Sequence, residues 1–228
     1  MRFLNTILNV IFPVNCLACG KSGTILCIKC LVDSPEAERE NKKWIYSLFD
    51  YRHPTIKKAI WLLKYKGKRN IANIFGEIMY GRILEELADL SLLENFREPI
   101  LIPIPLAPGR LRERGFNQAL LVCKKLMELN NNSSQLKNTH MRDSVNMYLK
   151  KNVLIKPKDT PHQATIKDRN ERLKNIIDSF AIKNQELIKN RNIILIDDVT
   201  TTGATLNEAK KVLKQAGAKK IIAFTVAH

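Results

Sequence analysis

Two adjacent carboxylates followed by a threonine-rich turn give Asp197-Asp198-Val199-Thr200-Thr201-Thr202-Gly203-Ala204-Thr205 the clearest capacity for chemistry in this chain. An apolar run, Asn192-Ile193-Ile194-Leu195-Ile196, leads into the pair, and a helical pattern follows Thr205. Ligands of open α/β sheets bind beyond the carboxyl ends of the strands, which is where this junction falls. A helix starting there turns unsatisfied N–H groups and the positive end of its dipole toward the turn, making an anion site. Gly203 lets the backbone approach a phosphate closely, and Thr200, Thr201, Thr202 and Thr205 add hydroxyl donors. Asp197 and Asp198 would repel a phosphate aimed at them, but they accept hydrogen bonds from a sugar diol lying between them and it. Both halves together describe recognition of a ribose 5-phosphate group. Neither the Gly-Lys-Ser/Thr of a P-loop nor a dinucleotide Gly-x-Gly-x-x-Gly opening a helix is present. An N-capped helix after an ordinary strand would explain neither the paired acids nor the threonine run.

A second constellation lies near the start. Cys16-x2-Cys19 and Cys27-x2-Cys30 are separated by seven residues, and each pair lets two thiolates converge on one ion. Two such turns complete a closed four-thiolate site suited to Zn2+, with Gly20 and Gly23 supplying tight backbone. A closed site folds its module and leaves no position for catalysis. Two disulfides are the alternative, against which stand the lack of a signal peptide and of cysteine density elsewhere. A redox Cys-x-x-Cys is the third, without a thioredoxin-like βαβ context. Cys123, within Ala119-Leu120-Leu121-Val122-Cys123, reads as a small buried hydrophobe.

The elements that must position these residues follow from periodicity. Trp44 to Tyr51 reads as a strand, His53 to Leu63 and Ile71 to Leu90 as helices, and Ile100 to Ile104 as a short buried strand. Asn117 to Leu129 is an amphipathic helix, Val153 to Ile155 a small strand, and Ile193 to Ile196 a strongly apolar one. Leu206 to Ala216 is a helix stopped by Gly217, and Ile221 to Val226 closes the series as a buried strand. Strands alternating with crossover helices predict an α/β fold with a mainly parallel sheet flanked by helices on both faces. Asp33 to Lys43 reads as a linker, and the polar stretch from Asn130 to Asn152 as a flexible excursion. The expected division is residues 1–42 for an N-terminal helix, zinc module and linker, and 43–228 for the main domain.

With 228 residues there is room for one ordinary domain and a small module. An excess of 38 Lys and Arg over 22 Asp and Glu, leaving +16, favours polyanionic partners without choosing among nucleic acid, phosphate-rich metabolites and an anionic membrane surface. Met1 to Val14 is apolar but interrupted by Asn5, Thr6 and Asn9, with no cleavage site after it, and reads as a short amphipathic helix. No run reaches the roughly 18 apolar residues that span a bilayer, so the expectation is a cytoplasmic protein without a membrane span. Lys64 and Lys66 flank a helix break, from which they reach phosphates or DNA, or remain solvated.

Residues 192–206 resemble the phosphoribosyl-diphosphate signature of type I phosphoribosyltransferases, and the whole layout resembles the ComF (ComFC/GntX-like) family of competence-associated proteins. The family resemblance rests on Phe12-Pro13 before the cysteines, Leu63-Lys64-Tyr65-Lys66-Gly67, Ile102-Pro103-Ile104-Pro105-Leu106 leading to Arg114-Gly115-Phe116-Asn117-Gln118, Pro161-His162-Gln163, and Arg172-Leu173-Lys174-Asn175 ahead of Phe180. It implies a type I phosphoribosyltransferase fold that binds 5-phosphoribosyl-1-diphosphate with Mg2+, which is chelated mainly by ligand oxygens. It places a diphosphate loop at Gly109 to Gly115, where Arg110, Arg112 and Arg114 supply guanidinium forks. It implies a lid carrying Gln163, Arg169 and Arg172, with His162 as a candidate proton carrier. Where family members often carry arginine, this chain has Lys156 and Lys158.

The resemblance also implies a role in DNA uptake during natural transformation, with single-stranded DNA, a competence helicase or DNA-processing proteins as partners. Three readings remain open at this level. One is a phosphoribosyltransferase with an unidentified acceptor. The second is a nonenzymatic module for which the phosphoribosyl diphosphate is a regulatory ligand. The third is an amidophosphoribosyltransferase-like enzyme using ammonia, against which stands the missing N-terminal glutaminase domain.

Overall fold

The structure is a computed structural model describing residues 14–38, 43–135, 146–157 and 178–228. Its centre is a five-stranded, all-parallel sheet in the order β1-β7-β6-β2-β3, formed by β1 (Ile45–Phe49), β2 (Ile100–Pro103), β3 (Tyr148–Leu149), β6 (Ile193–Val199) and β7 (Ile221–Ala227). A separate antiparallel pair, β4 (Leu154–Ile155) and β5 (Ala181–Ile182), stands beside it.

Side chains of a strand alternate between faces, and two buried clusters follow from that alternation. Ile194, Ile196, Ile222, Phe224, Val226 and Leu101 belong to one cluster. Ile193, Leu195, Ile221, Ala223, Ile100 and Ile102 belong to the other. Most of the helical residues of the first cluster come from α2 (Pro54–Tyr65), α3 (Asn70–Glu94) and α5 (Gln118–Gln135). Pro54 opens α2, and Ile56, Ala59, Ile60 and Leu63 recur on its buried face at helical spacing. Gly76 lets α3 approach α5, since a Cβ there would fall 2.8 Å from Cβ of Lys125. The second cluster is covered by Leu206, Ala209 and Leu213 of α6 (Ala204–Gln215), with Val153, Leu154 and Phe180 around the β4–β5 pair.

The sequence expectation of a mainly parallel sheet flanked by helices holds. Because β2 crosses through α5 to β3 on one face and β6 crosses through α6 to β7 on the other, the chain leaves adjacent strands in opposite directions. That makes the β2–β6 boundary the switch point of the sheet, where a crevice must open.

Several local expectations are corrected. The segment expected as a Gly109 to Gly115 loop is a helix, α4 (Pro108–Arg114), with Pro108 in its first turn and Gly115 at φ 74 ending it. The supposed excursion from Asn130 is helical as far as Gln135, and Tyr148–Leu149 pairs with β2, which hides part of that polar stretch in the sheet. β6 does not stop at Ile196 but continues through both aspartates to Val199, because β7 pairs with it that far. Within the region read as a linker, the Ala37 amide donates to the Leu48 carbonyl (3.3 Å) and the Asp50 amide to the Pro35 carbonyl (3.0 Å), so residues 35–37 lie along β1.

A further helix missed by periodicity, α1 (Ile28–Val32), follows the third cysteine, and its Leu31 shares the first cluster with Cys16, Leu26 and Phe75. Residues 1–13 of the helix expected over Met1 to Val14, Lys158, His162, and Gln163, Arg169 and Arg172 of the expected lid lie outside the described residues. Among the described residues no helix is long and apolar enough to cross a membrane.

Candidate functional site

At the switch point is a cleft of about 320 Å³. Its floor is Asp197 and Asp198 at the end of β6, reached because β2 pairs with β6 only as far as Pro103 opposite Ile196 and then turns away. One wall is the Thr200 to Gly203 turn and the first turn of α6. The other is built from the segment after β2, from Arg110 and Arg114 of α4, and from Asn117 and Gln118 at the start of α5. Lys64 and Tyr65 enter from the end of α2, and Lys156 and Phe180 from beside the β4–β5 pair.

Gly203 sits at φ 69 immediately before α6, a conformation that glycine adopts without a Cβ penalty. The Asn207 amide donates to the Gly203 carbonyl (2.8 Å), so the helical ladder begins there. The amides of Thr205 and Leu206 therefore have no intrahelical acceptor and face the turn. The Ala204 amide makes a long bond of 3.4 Å to Thr202 Oγ1. Thr201 and Thr202 are exposed while Thr200 is buried, its amide donating to the Ala227 carbonyl (3.0 Å). The turn is thus an array of donors at the positive end of a helix.

Asp198 is buried, and its Oδ1 accepts an ion-paired hydrogen bond of 2.8 Å from Lys64 Nζ. Burial opposes the charge on Lys64, but Asp198, with help from Asp197, outweighs it and holds the ammonium above its ordinary pKa. Asp197 Oδ1 accepts the Asp198 amide at 2.8 Å. Burial, then the neighbouring Asp198 charge, pushes the Asp197 carboxyl up from 3.8 to about 7, against the pull of Lys64 and Lys156. Lys156 is held below the usual lysine range by burial and by the Arg110 guanidinium, Asp197 acting the other way, and its Nζ lies 5.6 Å from the centre of the Phe180 ring. Arg114 lies over the Tyr65 ring at 5.4 Å. A cleft with two carboxylates at its floor and four cations around it suits a ligand carrying hydroxyls at its middle and anionic groups at both ends.

Of the residues singled out in the sequence, the fold brings Asp197, Asp198, Thr200, Thr201, Thr202, Gly203, Ala204, Thr205, Arg110, Arg114 and Lys64 to the cleft. It does not bring Arg112. In a helix, residues four apart share a face while the residue midway between them points away, so once the segment is α4 rather than a loop, Arg110 and Arg114 line the cleft and Arg112 is exposed.

Sequence reasoning passed over Tyr51 as a site residue, and named Tyr65, Asn117, Gln118, Lys156 and Phe180 only for the resemblance. Asn117 had a readable signal, an Asn before an apolar-periodic run. Its Oδ1 accepts the Leu120 amide (3.2 Å) and its Nδ2 donates to the Ile104 carbonyl (2.9 Å), tying the end of β2 to the start of α5. Gln118 is 1% exposed, and among the described residues its Nε2 has no hydrogen-bond acceptor.

The cysteines form a separate centre. The sulfurs of Cys16, Cys19, Cys27 and Cys30 all lie within 4.8 Å of one another, with Cys16 to Cys27 at 3.7 Å and Cys19 to Cys27 at 3.8 Å. A tetrahedron with Zn–S bonds of about 2.3 Å has S···S edges of about 3.8 Å, whereas a disulfide needs about 2.05 Å. Although burial works against it, the amides of Cys19, Ala18 and Cys27 bring the Cys16 thiol down to about 6. The thiols of Cys27 and Cys19 push Cys30 up to about 12. Four sulfurs this close lose their protons together only with a cation among them, and the donor set fits Zn2+. Burial raises the Cys123 thiol, as a core residue requires.

Residues 148–228 match the phosphoribosyl transferase domain family, the stretch that carries the acidic pair, the threonine turn and α6. Competence protein F of Haemophilus influenzae is 32% identical over 56% of this chain and 49% of its own length. Competence protein ComFC of Streptococcus pneumoniae is 34% identical over 59% of this chain and 50% of its own. The chain therefore spans about half the length of these two relatives. Competence protein ComFC of Bacillus subtilis is 28% identical over 92% of this chain and 76% of its own length. Fold and site thus define a phosphoribosyltransferase-fold protein. Within that class, the chain is similar to competence proteins F and ComFC.

Proposed function

We propose that this chain binds 5-phosphoribosyl-1-diphosphate in the cleft and uses it in the uptake and handling of DNA. The observation that carries the binding half is the acidic pair at the tip of β6 facing the donor-rich start of α6, with Arg110 and Arg114 across the same cleft. Asp197 and Asp198 accept the ribose 2- and 3-hydroxyls. The amides and hydroxyls of Thr201 to Leu206 hold the 5-phosphate, while Arg110 and Arg114 hold the diphosphate. Gln118 contributes a buried donor on the diphosphate side. Mg2+ supplies charge neutralisation on the diphosphate when bound, held mainly by ligand oxygens with its waters retained.

Departure of diphosphate builds positive charge on the ribose ring and negative charge on the leaving group. The acidic pair and the arginines respectively stabilise these charges. For this to happen Lys64 must leave Asp198 or share it with the diol, so the 2.8 Å pair is a resting arrangement that ligand binding remodels. The DNA half of the reading is supported by the names of the relatives, three of them competence proteins, and by the net charge of +16. A DNA utilization protein of Escherichia coli, 25% identical over 90% of this chain, points the same way.

Calorimetry of the zinc-loaded protein with Mg2+ and phosphoribosyl diphosphate tests the binding. A saturable heat is expected, lost when Asp198 is replaced by Asn. No heat from the wild-type protein refutes the reading. Release of diphosphate with nucleobases, amines or DNA as acceptors then separates turnover from use as a regulatory ligand.

A further inference from the structure

The residues from Pro54 to Asn70 include six lysines and arginines and no acidic residue. On α2, Lys57, Lys58, Trp61 and Tyr65 fall at helical spacing on the face opposite the buried Ile56, Ala59, Ile60 and Leu63. Trp61 is 47% and Tyr65 48% exposed, with ring centroids 6.2 Å apart and planes tilted by 44°. Two large aromatics left in water beside each other forgo burial that a core position would supply, which marks a surface awaiting a partner. Their tilt and spacing leave no slot for a base between them, so a base would meet the solvent-exposed part of either ring. Lys66 Nζ lies 5.4 Å from the Trp61 ring and Arg114 Cζ 5.4 Å from the Tyr65 ring. Beyond the helix end, Lys68 and Arg69 continue the basic stripe. Aromatic faces for bases along a track of cations for phosphates are the two components of single-strand recognition. A duplex offers only the phosphates, because its bases are already stacked.

The platform adjoins the cleft through shared residues, since Tyr65 and Arg114 line both. In the resting arrangement the Arg114 guanidinium covers the Tyr65 ring. A diphosphate in the cleft draws that guanidinium away and uncovers the ring. We propose that the Trp61–Tyr65 face of α2 is a base-stacking platform for single-stranded DNA, and that Arg114 couples its occupancy to that of the cleft. The platform stands on its own observations, whereas the coupling rests on the reading of the cleft given above. By linkage the coupling is reciprocal, so a bound strand also tightens phosphoribosyl diphosphate.

Fluorescence anisotropy with labelled oligothymidylate, oligouridylate and a duplex of equal length tests both parts. Oligothymidylate should bind more tightly than the duplex, and tighter binding of oligouridylate than of oligothymidylate overturns the assignment to DNA. Trp61→Ala should weaken strand binding by about 5-fold to 150-fold, the range of one base–aromatic stack, while its calorimetric affinity for Mg2+ and phosphoribosyl diphosphate stays at the wild-type value. Adding that ligand should tighten wild-type strand binding at least about fivefold, the lower end of ordinary coupling. Arg114→Ala should bind the strand without ligand as tightly as the wild type does with it. Equal strand affinity for wild type and Trp61→Ala, or equal affinity for duplex and single strand, overturns the platform even if the cleft binds its ligand. Strand binding that depends on Trp61 in a protein that gives no heat with phosphoribosyl diphosphate sinks the cleft reading and the coupling, and leaves the platform standing.

Discussion

Asp197→Asn is expected to stabilise the protein above neutral pH while removing its affinity for the sugar phosphate. In the folded chain, burial and the neighbouring Asp198 raise the Asp197 carboxyl from 3.8 to about 7, so ionising it costs more than it does in the unfolded chain. Each pH unit is worth about 1.36 kcal/mol, which sets a ceiling of roughly 4 kcal/mol. Partial exposure to the cleft brings the expected value to about 2–4 kcal/mol. Asn keeps an oxygen for the Asp198 amide, now 2.8 Å from Asp197 Oδ1, so the substitution removes the charge and leaves the bond.

The sign follows from proton counting. Between about pH 4 and pH 7 the folded protein holds a proton that the unfolded chain has lost, so wild-type stability falls as pH rises through this window and reaches its full deficit above pH 7. The Asn variant carries no such deficit. Thermal unfolding of both zinc-loaded proteins at pH 5 and pH 8 measures the difference, with any loss of zinc at the lower pH common to both. A Tm advantage of roughly 5–15 °C is expected for the variant at pH 8, shrinking to about a third at pH 5. In the wild type, affinity for the ligand should rise with pH across the same range, because the diol needs the ionised acid. A variant less stable than wild type at pH 8, or an advantage that does not change with pH, refutes the reasoning.

Two other outcomes can be checked directly. Metal analysis should find one zinc per chain, and stripping it with a chelator should lower the Tm of the whole protein, because Leu26 and Leu31 of the cysteine module share a buried cluster with Phe49 and Phe75. An unchanged Tm would mean the module contributes nothing to the fold. Lys64→Met should cost about 2–4 kcal/mol in denaturant unfolding by stranding the Asp198 carboxylate, a little under the usual figure for a buried pair because this one opens on the cleft. In an Asp198→Asn background most of that cost should vanish, and simple additivity of the two changes would show that the pair is not coupled.

The exposed basic and aromatic face of α2 shows how unevenly the chain discloses itself. The lysines were visible as composition, but that Trp61 stands in solvent while Leu63, two residues on, is buried follows only from which face of α2 meets the sheet. Lys64 was visible as a cation near a helix break, yet nothing local announces that its partner is Asp198. The α4 segment misled because seven residues rich in arginine carry too few apolar positions for a period to show, and the helix is set by Pro108 at one end and Gly115 at the other.

The sequence by itself determined what depends on short spacing. Cysteines three positions apart in paired knuckles converge on one point, an apolar run ending in two acids becomes a buried strand with a charged tip, and a glycine before a helical pattern opens that helix toward an anion. The tertiary structure decided what depends on packing between distant segments. Burying both faces of the parallel sheet forces the crossovers of β2 and β6 onto opposite sides, and that divergence opens the crevice. The same packing brings Arg110, Arg114, Lys64 and Lys156 around the acidic pair and leaves Arg112 outside, because a side chain's direction is fixed only when its whole element has been laid against the core.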